Sequence, residues 1–321
     1  MSGLEEMLAE YAALDSAGRG EFSVDPSRQR ELLGRLGLQN TRQGFVKLFQ
    51  AIYLSGARRA TCERPRKSQR LIVSFDFENA PPNPLWDIHS AFGLALLNLS
   101  QEYRIDWDLQ YSGRRCQGKA SPAGFVENRG AVCAEGSSRM VLTITRPGAR
   151  WWHRDWTVTV RDAMLPRIAW THRLQWTWDG QLVVPPALSY NANAVVFSDG
   201  FLPGNLNAQS TGDSSFRLLR QGDCRQEQEG KARPGSSLLS QPAHALLAKS
   251  LYAWSETFFV VAGVRGKGLR DLLGQPGLQA VVSGEGLTTS LNGLELVQDA
   301  ALKERLLGLQ PELSWLHRVG V

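Results

Sequence analysis

The chain has 321 residues, 42% of them hydrophobic and 21% charged, a balance that fits globular domains and excludes the disordered and coiled-coil classes. At this length two domains sharing an interface are expected. The formal charge of +5 and pI near 9.2 are mild, and the basic residues are scattered apart from one run, Arg58, Arg59, Arg64, Arg66, Lys67 and Arg70, so the concentrated stripe of a dedicated nucleic-acid binder is absent.

The opening MSGLEEMLAEYAALD is acidic and amphipathic and reads as a helix, without the charged-then-apolar layout of a signal peptide. Pro26 to Leu38 reads as a second helix, entered through Asp25 as cap and Pro26 in the first turn, with Gly37 ending it. Phe45, Leu48, Phe49 and Ile52 then recur at helical spacing in FVKLFQAIYLSGA, with Gly56 as the stop. This predicts a helix with one strongly apolar face, central to the first domain.

Beyond the basic run, Leu71 to Phe75 is a β-rich stretch that stops at Asp76, and Pro81, Pro82 and Pro84 forbid continuing it. Trp86 to Ser100 resumes helical periodicity. Tyr103 to Tyr111 alternates as a strand, and Phe125 to Cys133 and Met140 to Thr145 add further strands between Gly and Ser turns.

After Pro147 and Gly148 the pattern changes at the aromatic block RWWHRDW, and a domain boundary is expected there. The second half reads as a helix from Thr159 to Ala169 and strands at Leu174 to Trp178 and Gln181 to Val184, joined by an Asp179-Gly180 hairpin turn. A strand at Ala194 to Ser198 follows, then long mobile loops over 204–238. A helix from Pro242 to Tyr252, strands at Phe258 to Val264 and Gln279 to Ser283, and a helix from Ala300 to Leu309 complete the chain.

This order and several segments resemble the ATP-binding domain of the gyrase, heat-shock-protein-90, histidine kinase and MutL (GHKL) superfamily, followed by its transducer domain. The resemblance implies an α+β protein, with a Bergerat-like α/β sandwich over 1–148 and a transducer-like α/β domain over 149–321. In that family one helix carries a Glu that orients water, an Asn four residues on that holds Mg²⁺, and an Asp three further on. Alignment of KLFQAIYLS with that motif puts Lys47, Ala51 and Leu54 at these positions, and none of them can do the work. The family's strand ending in Asp-x-Gly-x-Gly corresponds to Asp76-Phe77-Glu78-Asn79-Ala80, which keeps the adenine-reading Asp76 and loses both glycines. No glycine-rich lid is found between Gly93 and Gly124. The family's late Gly-Thr has at best Gly136-Ser137-Ser138 as its counterpart.

Other chemistry is weakly signalled. An Asp that ends a strand ahead of prolines, as Asp76 does, is also an ordinary turn former. Gly263-Val264-Arg265-Gly266-Lys267-Gly268 lacks the spacing and hydroxyl of a phosphate loop and reads as a turn. The histidines His89, His153, His172, His244 and His317 have no metal-ligand spacing. Trp151, Trp152, Trp156, Trp170, Trp176 and Trp178, interleaved with arginines, read either as a contact surface or as a wedge between the domains.

The expected function is that of a catalytically degenerate GHKL-like regulatory or interaction component, leaning away from an enzyme. It would need no cofactor, and a protein partner or homo-oligomer is expected. Two alternatives stay open: a genuine ATP binder with slow Mg²⁺-dependent turnover, in which Asp76 reads adenine, and an accessory factor that contacts nucleic acid. Cys62, Cys116, Cys133 and Cys224 form no CxxC pair and no apolar run reaches the roughly 18 residues of a membrane span. A reducing cytoplasm and no membrane association are therefore expected.

Overall fold

A computed structural model of the chain describes residues 40–65, 68–79, 90–132, 138–148, 155–168, 170–171, 173–184, 192–202, 207–209, 214–220, 226–232, 237–239, 243–250, 254–290 and 295–319. The two helices expected before Leu38 lie outside these residues, as do Trp151, Trp152 and four of the histidine side chains.

The protein is α+β. Helix α1 spans Thr41–Leu54, capped by the Asn40 side chain, which accepts from the Arg42 N–H. Strands β1 (Arg59–Glu63) and β2 (Arg70–Asp76) follow, then helix α2 (Ala91–Leu99). Next come β3 (Arg104–Tyr111), β4 (Arg114–Ser121), β5 (Gly124–Val132) and β6 (Arg139–Thr145), then helix α3 (Trp156–Met164), β7 (Gln175–Trp178) and β8 (Gln181–Leu182). These eight strands form one sheet in the order β5-β4-β3-β6-β2-β1-β7-β8. Every pairing is antiparallel except β1 with β7.

Strict alternation explains why the helices cover one face. Leu71, Val73 and Phe75 of β2, Ile105, Trp107 and Leu109 of β3, and Met140, Leu142 and Ile144 of β6 point the same way and are buried. Against them sit Phe45, Leu48, Phe49 and Ile52, each at most 1% exposed, so the face predicted from their spacing is the face that packs. The opposite side of the sheet is polar and open, with Thr61 hydrogen-bonded to Ser74 and Arg115 to Asp108.

The first sheet runs past the boundary expected at 148. β7 and β8 belong to it and α3 shares its core: Trp156, Trp176 and Trp178 are part of that core, with Phe49 edge-on to Trp176 at 4.9 Å. All three are buried, and Trp176 also lies in the lining of the cavity described below. The parallel β1–β7 pairing is a long-range contact that local patterning cannot reveal. The Asp179-Gly180 turn is as predicted, with φ of 49° and 79°, the double positive values of a type I′ hairpin.

The second half contains β9 (Ala192–Leu202), β10 (Asn207–Gln209), β11 (Ser214–Arg220), β12 (Gln226–Ala232), β13 (Ser237–Leu239) and β14 (Ala243–Ser250). It continues with β15 (Glu256–Val261), β16 (Val264–Arg265), β17 (Leu269–Arg270) and β18 (Leu278–Ser283), and closes with helices α4 (Ala300–Leu307) and α5 (Gln310–Val319). The second sheet runs β12-β11-β9-β14-β18-β15-β16, with β17 also on β15, and β10 pairs β13 separately. Two expectations fail here. The helix predicted over 242–252 is the central strand β14, because AHALLAKS sits between β9 and β18 with Leu246 and Leu247 both buried, and ladder pairing outweighs the helical preference of Ala and Leu. The loops predicted over 204–238 hold four strands, whose polar composition suits a sheet with one wet face.

Candidate functional site

The central helix is buried all round. Its inner face lies on the first sheet; elsewhere it packs on α2, with Gly44 against Asn98 and Leu99, and Gln50 reaches the β15–β16 hairpin of the second half. Gln50 Nε2 donates to the Val261 carbonyl at 3.4 Å, and the Arg265 N–H donates to the Arg167 carbonyl at 2.8 Å. Arg265 also lies over the rings of Phe258, at 4.1 Å, and Trp170, at 5.4 Å. Trp170 thus meets the second half through Arg265.

The turn joining β15 and β16 touches the helix through Gly263. Its φ is +71°, and a Cβ there would stand 2.7 Å from the Tyr53 ring, so glycine is required both by backbone conformation and by space. Tyr53 in turn donates to Glu285 Oε1 at 2.7 Å, and Arg173 approaches the same oxygen at 3.7 Å. Burial, reinforced by this carboxylate, pushes the Tyr53 phenol up to about 12. Glu285 is held from behind, since Arg305 donates to the Ser283 and Glu285 carbonyls at 2.9 and 3.1 Å.

Around these residues lies an open cavity of about 920 Å³. Its walls come from the C-terminal end of α1, the start of β1, the segment after β2, the β7–β8 hairpin and Glu285. Its cations are Arg58, Arg59 and Arg173 and its carboxylates Glu78 and Glu285. Leu54, Leu182 and Val184 are 56%, 54% and 64% exposed. Of the eight large apolar side chains standing exposed among the described residues, three therefore converge on this one cavity, which makes it the main candidate for a binding site.

The three motif positions do not gather around it. Lys47 is 6% and Ala51 2% exposed, and neither lines the cavity; Leu54 does. Asp76 is exposed at the end of β2, opposite Arg139 across the ladder, and is not part of the lining either. The residues after Asp76 have taken on a structural task. Ser55 presents its carbonyl to the N–H groups of both Glu78 and Asn79 at 3.1 and 2.9 Å, and Asn79 Nδ2 donates to the Leu54 carbonyl at 2.9 Å. Glu78 pairs with Arg58 at 2.6 Å. At Glu78, where the resemblance calls for glycine, and at Asn79 beside it, this chain closes the C-terminal end of α1, satisfying carbonyls that a helix end leaves open.

Burial holds the Lys47 amine down at about 8 against an ordinary 10.5. Between those values the unfolded chain binds the proton more tightly than the folded one, so stability rises with pH from about 8 to 10.5 and the desolvation penalty is present in full below. Lys47→Met is expected to stabilise the fold at pH 7 and to flatten that rise, as read by urea denaturation across the pH range. An unchanged profile would mean that the amine is not desolvated.

Sequence reasoning missed the cavity because it is assembled from distant segments. Arg173, Leu182, Val184 and Glu285 carry no motif, and the exposure of two apolar residues after a hairpin turn was the only signal available. Among the described residues no helix is long and apolar enough to cross a membrane.

No protein-family model matches the chain, and no curated protein does. Among solved structures it is similar to the B subunit of DNA gyrase from Myxococcus xanthus, at 11% identity over 84% of this chain and 87% of that one, with a TM-score of 0.44. It is also similar to the ATPase region of Saccharomyces cerevisiae topoisomerase II, at 10% identity over 85% and 84% of the two chains, with a TM-score of 0.48. The same region bound to ICRF-187 (dexrazoxane) gives a TM-score of 0.47 at 10% identity over 85% and 84%. At such distance the chemistry of the site rests on this chain's own residues.

Proposed function

We propose that this chain is a regulatory or protein-interaction component that does not hydrolyse ATP. The observation that carries this reading is the state of the motif face of α1. Lys47 and Ala51 are buried, and Ala51 offers no oxygen to a divalent cation where a GHKL member would use asparagine. Lys47 can attract a phosphate as a point charge, but it cannot orient and deprotonate water as a carboxylate does. Glu78 and Asn79 are committed to closing the helix end, and Glu78 carries a side chain at a position where the family's glycine lets backbone approach a nucleotide.

The working surface in this reading is the cavity at the junction of the two halves, and the division between them falls after the β7–β8 hairpin. Isothermal titration with ATP and Mg²⁺ tests the proposal. No micromolar binding is expected, because a triphosphate of about four negative charges meets an alanine, Ala51, at the position where the family's asparagine would hold the metal. Micromolar affinity that disappears in Asp76→Asn would instead establish the nucleotide-binding alternative.

A further inference from the structure

The first sheet ends in β8, and its outer edge is open among the described residues. The Val183 N–H donates inward to the Trp176 carbonyl at 2.9 Å, which fixes the phase of the ladder. In an antiparallel pair hydrogen-bonded and non-bonded positions alternate, so Leu182, opposite Thr177, and Val184 turn their N–H and C=O groups away from β7. No hydrogen bond from a described residue meets them. Their side chains are two of the exposed apolar groups of the cavity. An unpaired strand edge with bare aliphatic side chains is a surface that proteins ordinarily cover or charge, and no described residue covers this one.

Charge says what fits beside it. The arginines of the lining outnumber its carboxylates by three to two. Arg58 is paired with Glu78 and Arg173 approaches Glu285, whereas Arg59 is exposed and has no carboxylate partner among the described residues. Arg59 lies opposite Gln175 in the β1–β7 pairing, and the continuing hairpin register sets Gln175 against Val184. Arg59, Gln175 and Val184 thus form one row across the sheet, with the Arg59 guanidinium on the same face as the apolar edge.

We propose that the β8 edge and its cavity bind an extended, acidic peptide segment of a partner protein, added to the sheet as a further strand. Backbone hydrogen bonds to Leu182 and Val184 supply the pairing, alternate aliphatic side chains pack beside theirs, and acidic side chains meet Arg59. The inference rests on reading the chain as an interaction component and names the chemistry of its partner.

The test uses three synthetic peptides and fluorescence anisotropy on the full chain. One alternates Glu with Val and Leu, the second has Lys in place of Glu, and the third is the acidic peptide N-methylated on alternate amides. The acidic peptide is expected to bind at least about tenfold more tightly than the lysine one, and to weaken as salt is raised. N-methylation should abolish binding, and Arg59→Ala, an exposed change that leaves the circular dichroism spectrum intact, should weaken it about fivefold. Equal affinity for the acidic and lysine peptides, unimpaired binding of the N-methylated one, or no binding of any would overturn the proposal. A chain that bound the acidic peptide and also released phosphate from ATP would keep this inference and lose the previous reading; a chain that did neither would lose this inference alone.

Discussion

Phe49→Ala is expected to destabilise the protein by about 3–5 kcal/mol, the range for deleting a large buried aromatic side chain. Phe49 is fully buried. Its ring stands edge-on to Trp176 at 4.9 Å and an interplanar angle of 83°, and 6.4 Å from Trp178. Edge-to-face pairs of this kind add to the burial itself. Both partners belong to β7, the strand that pairs in parallel with β1 and carries the β8 edge. Removing the ring therefore opens a hole between the central helix and the strand that shapes the cavity. Urea unfolding measures the effect, with Leu54→Ala as the control: that side chain is 56% exposed, and its loss should change stability by no more than about 0.5 kcal/mol. A similar small loss for both variants would contradict the packing described.

Gly263→Ala is expected to cost about 3 kcal/mol, combining the strain of a non-glycine residue at positive φ with overpacking. The backbone there has φ of +71°, and the new methyl would lie 2.7 Å from the Tyr53 ring and 3.1 Å from Thr171 Cγ2. The hairpin must withdraw, or Tyr53 must swing away from Glu285. Either movement exposes the phenol, so its raised pKa of about 12 should fall toward the ordinary value for tyrosine. Ultraviolet titration of the variant alongside Tyr53→Phe isolates that group. A Gly263→Ala protein with unchanged stability and tyrosine titration would mean that the two halves do not meet at this turn.

Much of the first half was legible in the sequence because its signals are local. The 3.6-residue repeat of Phe45, Leu48, Phe49 and Ile52 and the two-residue alternation of Leu71, Val73 and Phe75 each name a face, and the faces meet. The Asp179-Gly180 turn is equally local. What failed was pairing over distance. Nothing near Gln175–Trp178 announces a partner at Arg59–Cys62, so the first sheet continues beyond the boundary drawn at 148. Ala243–Ser250 has helix-forming composition and becomes a strand because two neighbours claim its backbone groups.

Of the site, the sequence offered only the motif positions 47, 51 and 54, and the structure places Lys47 and Ala51 in the interior and Leu54 on the cavity wall. That Glu78 and Asn79 close the helix end, and that Glu285 reaches Tyr53 from more than two hundred residues away along the chain, depends on folded geometry that no spacing in the sequence encodes.

The central claim is that the chain does its work without turning over ATP, and a phosphate-release assay with Mg²⁺ and saturating ATP tests it most directly. The natural chain, Asp76→Asn and Lys47→Met should all give the no-enzyme rate, since none of them has a carboxylate at position 47 to activate water or an asparagine at position 51 to hold the metal. Mg²⁺-dependent release by the natural chain that is lost in Asp76→Asn would contradict the account.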